Sequence, residues 1–182
     1  MTLDIAGGQI IAGAFTLDPA KPDIATTLKI DHMELTEITK LIGLDGLSGS
    51  GQLDGQIPVS YKAGKLAIAG GRMAARAPGT LSYKPGKLPA EIAQAGESVQ
   101  LALQALSDFH YDKLSLELDK AENGEGTVML RLEGKNPAVM KGQAFNFNIR
   151  LDSNFDRLAD IAMLGLRSAE ELLLRAARRA AP

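Results

Sequence analysis

Three segments between residues 114 and 151 alternate apolar and polar side chains with a period of two. In an extended strand, this alternation places every apolar side chain on one face and every polar side chain on the other. Consecutive segments of this kind, joined by short connections, pair as antiparallel neighbours. The chain therefore contains a predicted antiparallel meander with one apolar and one polar face. Its apolar positions are Leu114, Leu116, Leu118, Val128, Leu130, Leu132, Phe145, Phe147, Ile149 and Leu151.

The first half of the chain also has strand-like patterns, which are separated by turns rich in glycine and proline. Pro58 falls on the polar side of one pattern. Because proline cannot donate a backbone hydrogen bond, this strand is predicted to be at an edge or bulged. Residues 44–51 are too rich in glycine for regular structure to be expected. The strand-like segments are 3–15, 24–30, 52–62, 65–69, 72–75 and 81–83, with a hairpin turn at Ala63-Gly64.

Helical spacing precedes the meander at two places. Residues 36–42 are long enough for two turns of helix, which Gly43 is expected to end. Apolar residues recur at i, i+3, i+4 and i+7 over residues 99–106, which predicts an amphipathic helix that ends near Asp108.

A longer helix is predicted at the C-terminus, over about residues 155–181, with Ser153 or Asn154 as its cap. Its apolar stripe can pack on the sheet, or its basic end can dock on a membrane surface or a partner. The fold class is therefore mainly β with added helices (α+β) and an antiparallel sheet. Residues 1–182 are predicted to form one domain or a fragment of a longer β-groove protein. The basic end comprises Arg175, Arg178 and Arg179.

Composition excludes several classes of site and partner. The chain has no cysteine, which removes disulfides, Cys-ligated zinc, iron–sulfur clusters and thiol nucleophiles. A net charge of −2 provides no positive field for nucleic acid. The sequence contains no run of about 18 apolar residues, which is the length that a transmembrane helix needs, so no such helix is predicted. Residues 1–4 do not resemble a signal peptide, and Met1 is interpreted as a start codon added to a fragment.

Candidate catalytic and metal-binding residues are few. His32 and His110 have neither HxH nor HxxxH spacing and are predicted to be structural. The chain has no GxSxG nucleophile motif, and residues 49–51 precede a strand pattern instead of the helix that a dinucleotide site requires. No catalytic residue, cofactor or metal site is therefore predicted. The carboxylates on the predicted strands are expected to solvate the polar face, and they are Glu117, Asp119, Glu133 and Asp152.

The apolar strand faces are the remaining feature on which function can depend. In a closed sandwich these faces form the core, whereas in a half-open sheet they line a groove that acyl chains can fill. Both arrangements are favourable, because each buried CH₂ contributes about 0.8 kcal/mol whether it packs on protein or on lipid. Patterning does not separate a lipid groove from a closed module that recruits partners by strand addition. An enzyme and a small-solute-binding accessory rank behind these two.

Two blocks of sequence resemble a known family. They are GLSGSGQLDGQIPV at residues 46–59 and FHYDKLSLELD at residues 109–119. The longer stretches around them, 35–83 and 106–158, resemble the C-terminal region of YdbH-like proteins, which are relatives of the AsmA and TamB group. That region is also described as a "dicarboxylate transport" domain, but the chain has no Arg/Lys cluster suited to gripping two carboxylates.

The resemblance implies a specific role. Such proteins are anchored in the inner membrane, extend across the Gram-negative periplasm, and are thought to conduct phospholipid along an apolar β-groove toward the outer membrane. A small outer-membrane lipoprotein is expected to add strands to the sheet edge. The resemblance thus implies a non-catalytic periplasmic segment that binds phospholipid acyl chains. The ten apolar positions of the meander become candidate groove-lining residues.

Overall fold

The computed structural model describes residues 2–13, 23–87 and 96–154. Within these ranges ten strands form one sheet, in which every pairing is antiparallel. The helix predicted over 155–181 lies outside the described residues. The strands are β1 Thr2–Ile5, β2 Gly8–Ala12, β3 Ile24–Glu34, β4 Leu47–Ser50, β5 Gln52–Lys62, β6 Lys65–Ala75, β7 Gly79–Tyr83, β8 Phe109–Lys120, β9 Glu125–Lys135 and β10 Ala144–Asn154. The helices are α1 Leu35–Ile42 and α2 Glu97–Leu106, with a 3₁₀ turn at Met140–Gly142.

The predicted meander is confirmed as β8, β9 and β10. Leu116 pairs with Leu130, and Leu130 pairs with Ile149, so these side chains share one face. The turn between β8 and β9 contains Asn123 and Gly124, and the Gly124 N–H donates to the Ala121 carbonyl at 3.1 Å. The strand order in the rest of the sheet is β1-β2-β3-β5-β6-β8, so the meander continues an antiparallel sheet that begins at β1.

β4 and β5 form one long strand that bends at Gly51, and β6 and β7 form its partner. Leu53 pairs with Ala75 on one side of the bend, and Ser50 pairs with Thr80 on the other. Gly51 has a φ of 117°, a conformation that an L side chain rarely adopts. The prediction that residues 44–51 lack regular structure is wrong for residues 47–50, because these residues pair with β7, while Gly49 leaves room for the Leu35 side chain of α1.

Pro58 lies inside the sheet, since β5 has β3 on one side and β6 on the other. The predicted edge position is therefore wrong, and the predicted bulge is confirmed by a register shift between Gln56 and Val59. The segments predicted as two strands at 65–69 and 72–75 form the single strand β6, which has its own register shift between Ile68 and Gly71. Ala63-Gly64 is the predicted hairpin turn between β5 and β6.

Both helices predicted before the meander are confirmed. α1 ends at Gly43, whose φ of 65° permits its N–H to donate to the Thr39 carbonyl at 3.2 Å. α2 ends at Leu106, close to the predicted end. Its last carbonyls are held by the buried Asn136, whose amide nitrogen donates to Gln104 and Ala105 at 3.0 and 3.2 Å.

The core lies at the end of the sheet where β5 and β8 begin and β9 ends. There α1 contacts β3 and β4, α2 contacts β7, and β7 and β4 continue the sheet beside β8. We call α1, α2, β4 and β7 together the cap. Ile38, Leu47 and Leu106 of the cap lie against this core and remain partly buried. The buried side chains of the core are Leu35, Leu53, Leu81, Phe109, Tyr111, Leu114 and Leu132.

Candidate functional site

An apolar row crosses the sheet from one edge to the other. Each member pairs with the next through the strand register, and paired residues of an antiparallel sheet project on the same face. The row extends the apolar face of the meander over eight strands. Every member has an apolar side chain except Gly55, which has none. Its members are Leu3, Ile10, Ile30, Gly55, Met73, Leu116, Leu130 and Ile149.

A second apolar row lies beside the first, on the side away from the cap. Leu28 pairs with Ile57 at one part of the sheet, and Gly71 pairs with Leu118 at another. The two parts meet because Ile57 Cγ2 lies 3.3 Å from where a Cβ on Gly71 would be. Leu118 continues the row into Val128 and Leu151. The two rows together form a continuous apolar surface, which we call the apolar face.

Within the meander, the apolar side chains of this face are fully buried only next to the cap. On β8, Phe109 and Leu114 are 0 % and 3 % exposed, whereas Leu118 is only half-buried. On β10, the change ends at Leu151, which is 54 % exposed. We call the end of the face at Leu118 and Leu151 the open end. The apolar face is thus a closed core under the cap and a partly uncovered surface at the open end.

The structure brings all ten residues predicted to line a groove onto this one face, but places them at different depths. Leu114 and Leu132 belong to the core under the cap. Four more are partly buried against that core, namely Leu116, Leu130, Phe145 and Phe147. The remaining four lie toward the open end, and they are Leu118, Val128, Ile149 and Leu151.

Tyr111 fixes the cap to the sheet. Its hydroxyl donates to the Ser50 carbonyl at 2.7 Å, and a Cβ at Gly51 or Gly79 would lie 2.2 or 2.4 Å from the hydroxyl oxygen. Burial raises the pKa of the Tyr111 phenol. The tyrosine therefore stays neutral and remains a hydrogen-bond donor at neutral pH. The Tyr111 side chain fits only because positions 51 and 79 both carry glycine.

The aromatic side chains mark the boundary of the core. Phe109 and Phe147 meet edge to face with ring centroids 5.3 Å apart, and Phe145 stacks on Phe147 at 5.9 Å. Since Phe109 is fully buried and both other rings are partly buried, this group seals the covered part of the face beside β10.

The opposite face of the meander carries paired charges. Arg131 donates to Glu117 at 2.9 and 3.3 Å, and this hydrogen bonding lowers the pKa of the Glu117 carboxyl. Hydrogen bonds from Arg150 and Thr127 lower the pKa of Asp152 in the same way. The exposure of these pairs makes their contribution to stability small. They indicate a solvated outer face, as predicted.

A shallow depression of about 760 Å³ lies at the open end, between the ends of β6, β8, β9 and β10. Ile68 lines it together with Lys120, which is buried and donates to the Leu66 and Ala121 carbonyls at 2.9 and 3.4 Å. The acidic side chains of Asp119 and Asp152 also contribute to the lining. Because Asp119 and Asp152 belong to the opposite face of the meander, the depression lies where the apolar face meets the charged face.

The two histidines lie away from the apolar core. His32 is half-exposed at a bulge with φ of 56°, and its Nδ1 lies 2.9 Å from Asp31. Asp54 is also close, but Arg76 already pairs with it at 2.7 Å. His110 is half-exposed beside Asp108. Asp31, His32 and Asp54 are the one group of possible metal ligands among the residues that the structure describes, and protein cations already balance its carboxylates.

Sequence reasoning missed the part of the apolar face outside the meander. The alternation of Leu28 with Ile30 and of Leu53 with Ile57 was visible, but only strand order joins these residues to the meander. Met73 had no periodic signal because the bulge after Ile68 interrupts the alternation of β6.

An open antiparallel sheet with a continuous, half-covered apolar face and a charged outer face defines a class of proteins that can hold extended hydrocarbon. The comparison with family models agrees with this class. The chain belongs to the YdbH-like family, since the model described as "Intermembrane phospholipid transport protein YdbH" matches residues 1–160. No curated protein and no solved structure matches the chain. None of the helices in the described ranges has the length and apolarity needed to cross a bilayer.

Proposed function

We propose that the apolar face beyond the cap binds phospholipid acyl chains, as a non-catalytic periplasmic segment of a protein that conducts lipid between the inner and outer membranes. The observation that carries this proposal is the apolar row across eight strands, whose members other than Ile30 are only partly buried. Membership of a phospholipid transport family supports it independently. The residues proposed to contact lipid most directly are Leu118, Val128, Ile149 and Leu151 of the meander, together with Leu28, Ile57 and Ile68.

Physical chemistry favours hydrocarbon as the occupant of this surface. Monomeric proteins rarely leave a contiguous apolar patch of this kind without a ligand or partner. An acyl chain laid along the row removes apolar surface from water at both partners, at about 0.8 kcal/mol for each CH₂. The headgroup then remains in solvent or at the charged rim of the open end.

The test is lipid recovery from the purified chain by native mass spectrometry and organic extraction. A double variant, Leu118→Asp with Val128→Asp, places two carboxylates among the proposed acyl contacts, which is costly because a buried charge loses its hydration. We expect this variant to retain its fold and lose co-purifying phospholipid. Met129→Asp is the matched control, since Met129 lies on the same strand with its side chain on the opposite face.

The control variant should keep wild-type lipid content. Equal lipid content in all three proteins would reject the acyl-chain proposal. Loss of folding in the double variant, detected by circular dichroism, would instead identify the open end as part of a closed core. In a full-length protein the same double variant should also impair lipid passage.

A second proposal concerns the strand edge. β10 pairs with β9 in unbroken register from Ala144 to Asn154, and no described strand pairs with its other side. Such an edge presents unpaired backbone groups to which a partner strand can add. We propose that a small outer-membrane lipoprotein adds a strand there. When that lipoprotein is added, hydrogen exchange should slow at the backbone amides of β10 that point away from β9. Unchanged exchange at these amides would contradict strand addition.

A further inference from the structure

The C-terminal end of α1 and the turn after it carry an exposed apolar patch on the cap, far from the open end of the apolar face. Leu41 and Ile42 are each 55 % exposed, and Leu44 is 49 % exposed. Isolated exposed leucines are ordinary on protein surfaces. Three large apolar side chains within four consecutive positions form a patch, which we call the tip.

The tip arises because α1 extends past the core that it covers. Leu35 and Ile38 pack on the core, and Thr39 is buried with them. Helical spacing continues this stripe to Ile42, which nevertheless is exposed. The helix therefore presents its last apolar turn beyond the edge of the protein interior.

Hydrogen bonds hold the tip in this position. Thr36 donates its hydroxyl to the Gly49 carbonyl at 2.6 Å, which fastens the start of α1 to β4. Beyond the helix, the Leu47 N–H donates to the Leu44 carbonyl at 3.1 Å and closes a turn. The turn is tied to the loop after β7, because the Gly86 N–H donates to Asp45 at 3.0 Å. The exposed side chains are thus presented by a fixed turn.

Three lysines of the described residues lie near the tip along the backbone. Lys40 precedes Leu41 on the helix, and the hydrogen-bonded loop after β7 brings the exposed Lys84 and Lys87 beside the turn. Two acidic groups lie among them: Glu37 pairs with Lys40 at 2.7 Å, and Asp45 accepts the Gly86 N–H. Among the described residues beside the tip, three lysines against two carboxylates leave a local excess of one positive charge, although the chain as a whole is negative.

We propose that the tip inserts into the surface of a phospholipid bilayer that contains anionic lipid. Exposed leucine and isoleucine side chains can insert at the boundary between the lipid headgroups and the acyl chains. The nearby lysines then stay at the level of the phosphates. The juxtaposition of three exposed apolar residues at the end of α1 with lysines of α1 and of the hydrogen-bonded loop after β7 carries this inference. It extends the proposed function, because it assigns the cap to membrane contact and leaves the apolar face to single lipid molecules.

The test is flotation of the full chain with phosphatidylcholine vesicles that contain phosphatidylglycerol, and with vesicles of phosphatidylcholine alone. Leu41→Asp combined with Leu44→Asp should lower binding to the anionic vesicles by about tenfold or more, since both side chains lose their apolar transfer into the interface. Lys84→Gln with Lys87→Gln should weaken binding only to the anionic vesicles. The matched control is Val99→Asp with Met140→Asp, which changes exposed apolar residues outside the tip and should float like the wild type.

Wild-type flotation of the Leu41→Asp, Leu44→Asp variant would overturn the proposal, because another surface such as the basic C-terminal residues would then carry the binding. An equal loss in the control variant would also overturn it. A third result would also overturn it: neither protein binds vesicles, the wild type self-associates, and the tip variant is monomeric. The partner of the tip would then be a second copy of the chain. The lipid-extraction assay keeps this proposal separate from the proposed function: the tip variant should retain bound phospholipid, and Leu118→Asp with Val128→Asp should still float.

Discussion

Leu114 and Leu118 provide a matched test of the gradient along the apolar face. Both are leucines on the same face of β8, and they differ chiefly in distance from the cap. Leu114 is 3 % exposed within the core, whereas Leu118 is half-buried toward the open end. If the open end is uncovered by protein, shortening these two side chains to alanine should have unequal effects on the free energy of unfolding.

The expected magnitudes follow from burial. Leu114→Ala removes a fully packed side chain and leaves a cavity, so it should cost about 3 kcal/mol, within the usual range of roughly 2–5. Leu118→Ala loses only part of a leucine's transfer free energy and leaves no closed cavity, so it should cost about 1 kcal/mol. For a domain of this size these values correspond to melting temperatures lower by roughly 6–12 °C and 2–4 °C.

The assay is urea and thermal unfolding followed by circular dichroism, with and without a short-chain phosphatidylcholine below its micelle concentration. A ligand that binds the folded chain at about 100 times its Kd stabilises it by about 2.7 kcal/mol. The wild type and Leu114→Ala should gain similar stability from lipid, because the proposed contacts are intact in both. Leu118→Ala should gain less.

The opposite pattern would refute the reasoning. Suppose that both substitutions lower the free energy of unfolding by about 3 kcal/mol and that lipid stabilises neither variant. Leu118 is then enclosed as deeply as Leu114, and the sheet is closed at both ends. If the costs differ as expected but lipid stabilises all three proteins equally, the open end exists and lipid binds elsewhere.

Three further predictions concern the cap and the charged face. Gly51→Ala should lower the stability by roughly 1–3 kcal/mol in urea unfolding, because the residue has positive φ and its new methyl group meets the Tyr111 hydroxyl; a neutral result would show that the bend relaxes easily. Asn136→Ala should cost about 1–3 kcal/mol and speed hydrogen exchange at the C-terminal end of α2, because the buried carbonyls there lose their donor; unchanged exchange would contradict this anchoring. The Glu117 pKa is lowered by Arg131, so this pairing contributes stability above the ordinary carboxyl pKa and loses it as pH falls through the lowered value. Arg131→Gln should raise the Glu117 pKa in a ¹³C NMR titration, and an unchanged pKa would contradict the pairing.

The parts of the fold that were predictable are those encoded locally. Alternation defined the three strands of the meander and their apolar face, and Gly43 marked the end of α1. Each signal depends on residues within one element or one turn, where periodicity and capping act directly.

The parts that were not predictable depend on pairing between distant segments. Residues 47–50 form a strand because β7 lies beside them, and nothing in the glycine-rich segment itself specifies that partner. Pro58 suggested an edge, yet a bulge accommodates it between two neighbours. The candidate site was half predictable for the same reason: its face was visible on each strand, but its extent over eight strands required the register.

The bend at Gly51 explains how one alternating pattern can serve both as core and as exposed surface. A sheet with an uncovered apolar face needs stabilisation from somewhere else, since half-buried side chains recover only part of their transfer free energy. At this end of the sheet β7 and β4 continue beside β8 and the two helices pack against them, which encloses Phe109 and Tyr111 at 0 % and 1 % exposure and concentrates the core there. Because the cap supplies a closed core at one end, the other end can remain partly uncovered without unfolding the chain. The division also separates the effects of substitution: changes under the cap should act on stability, and changes at the open end should act on lipid binding.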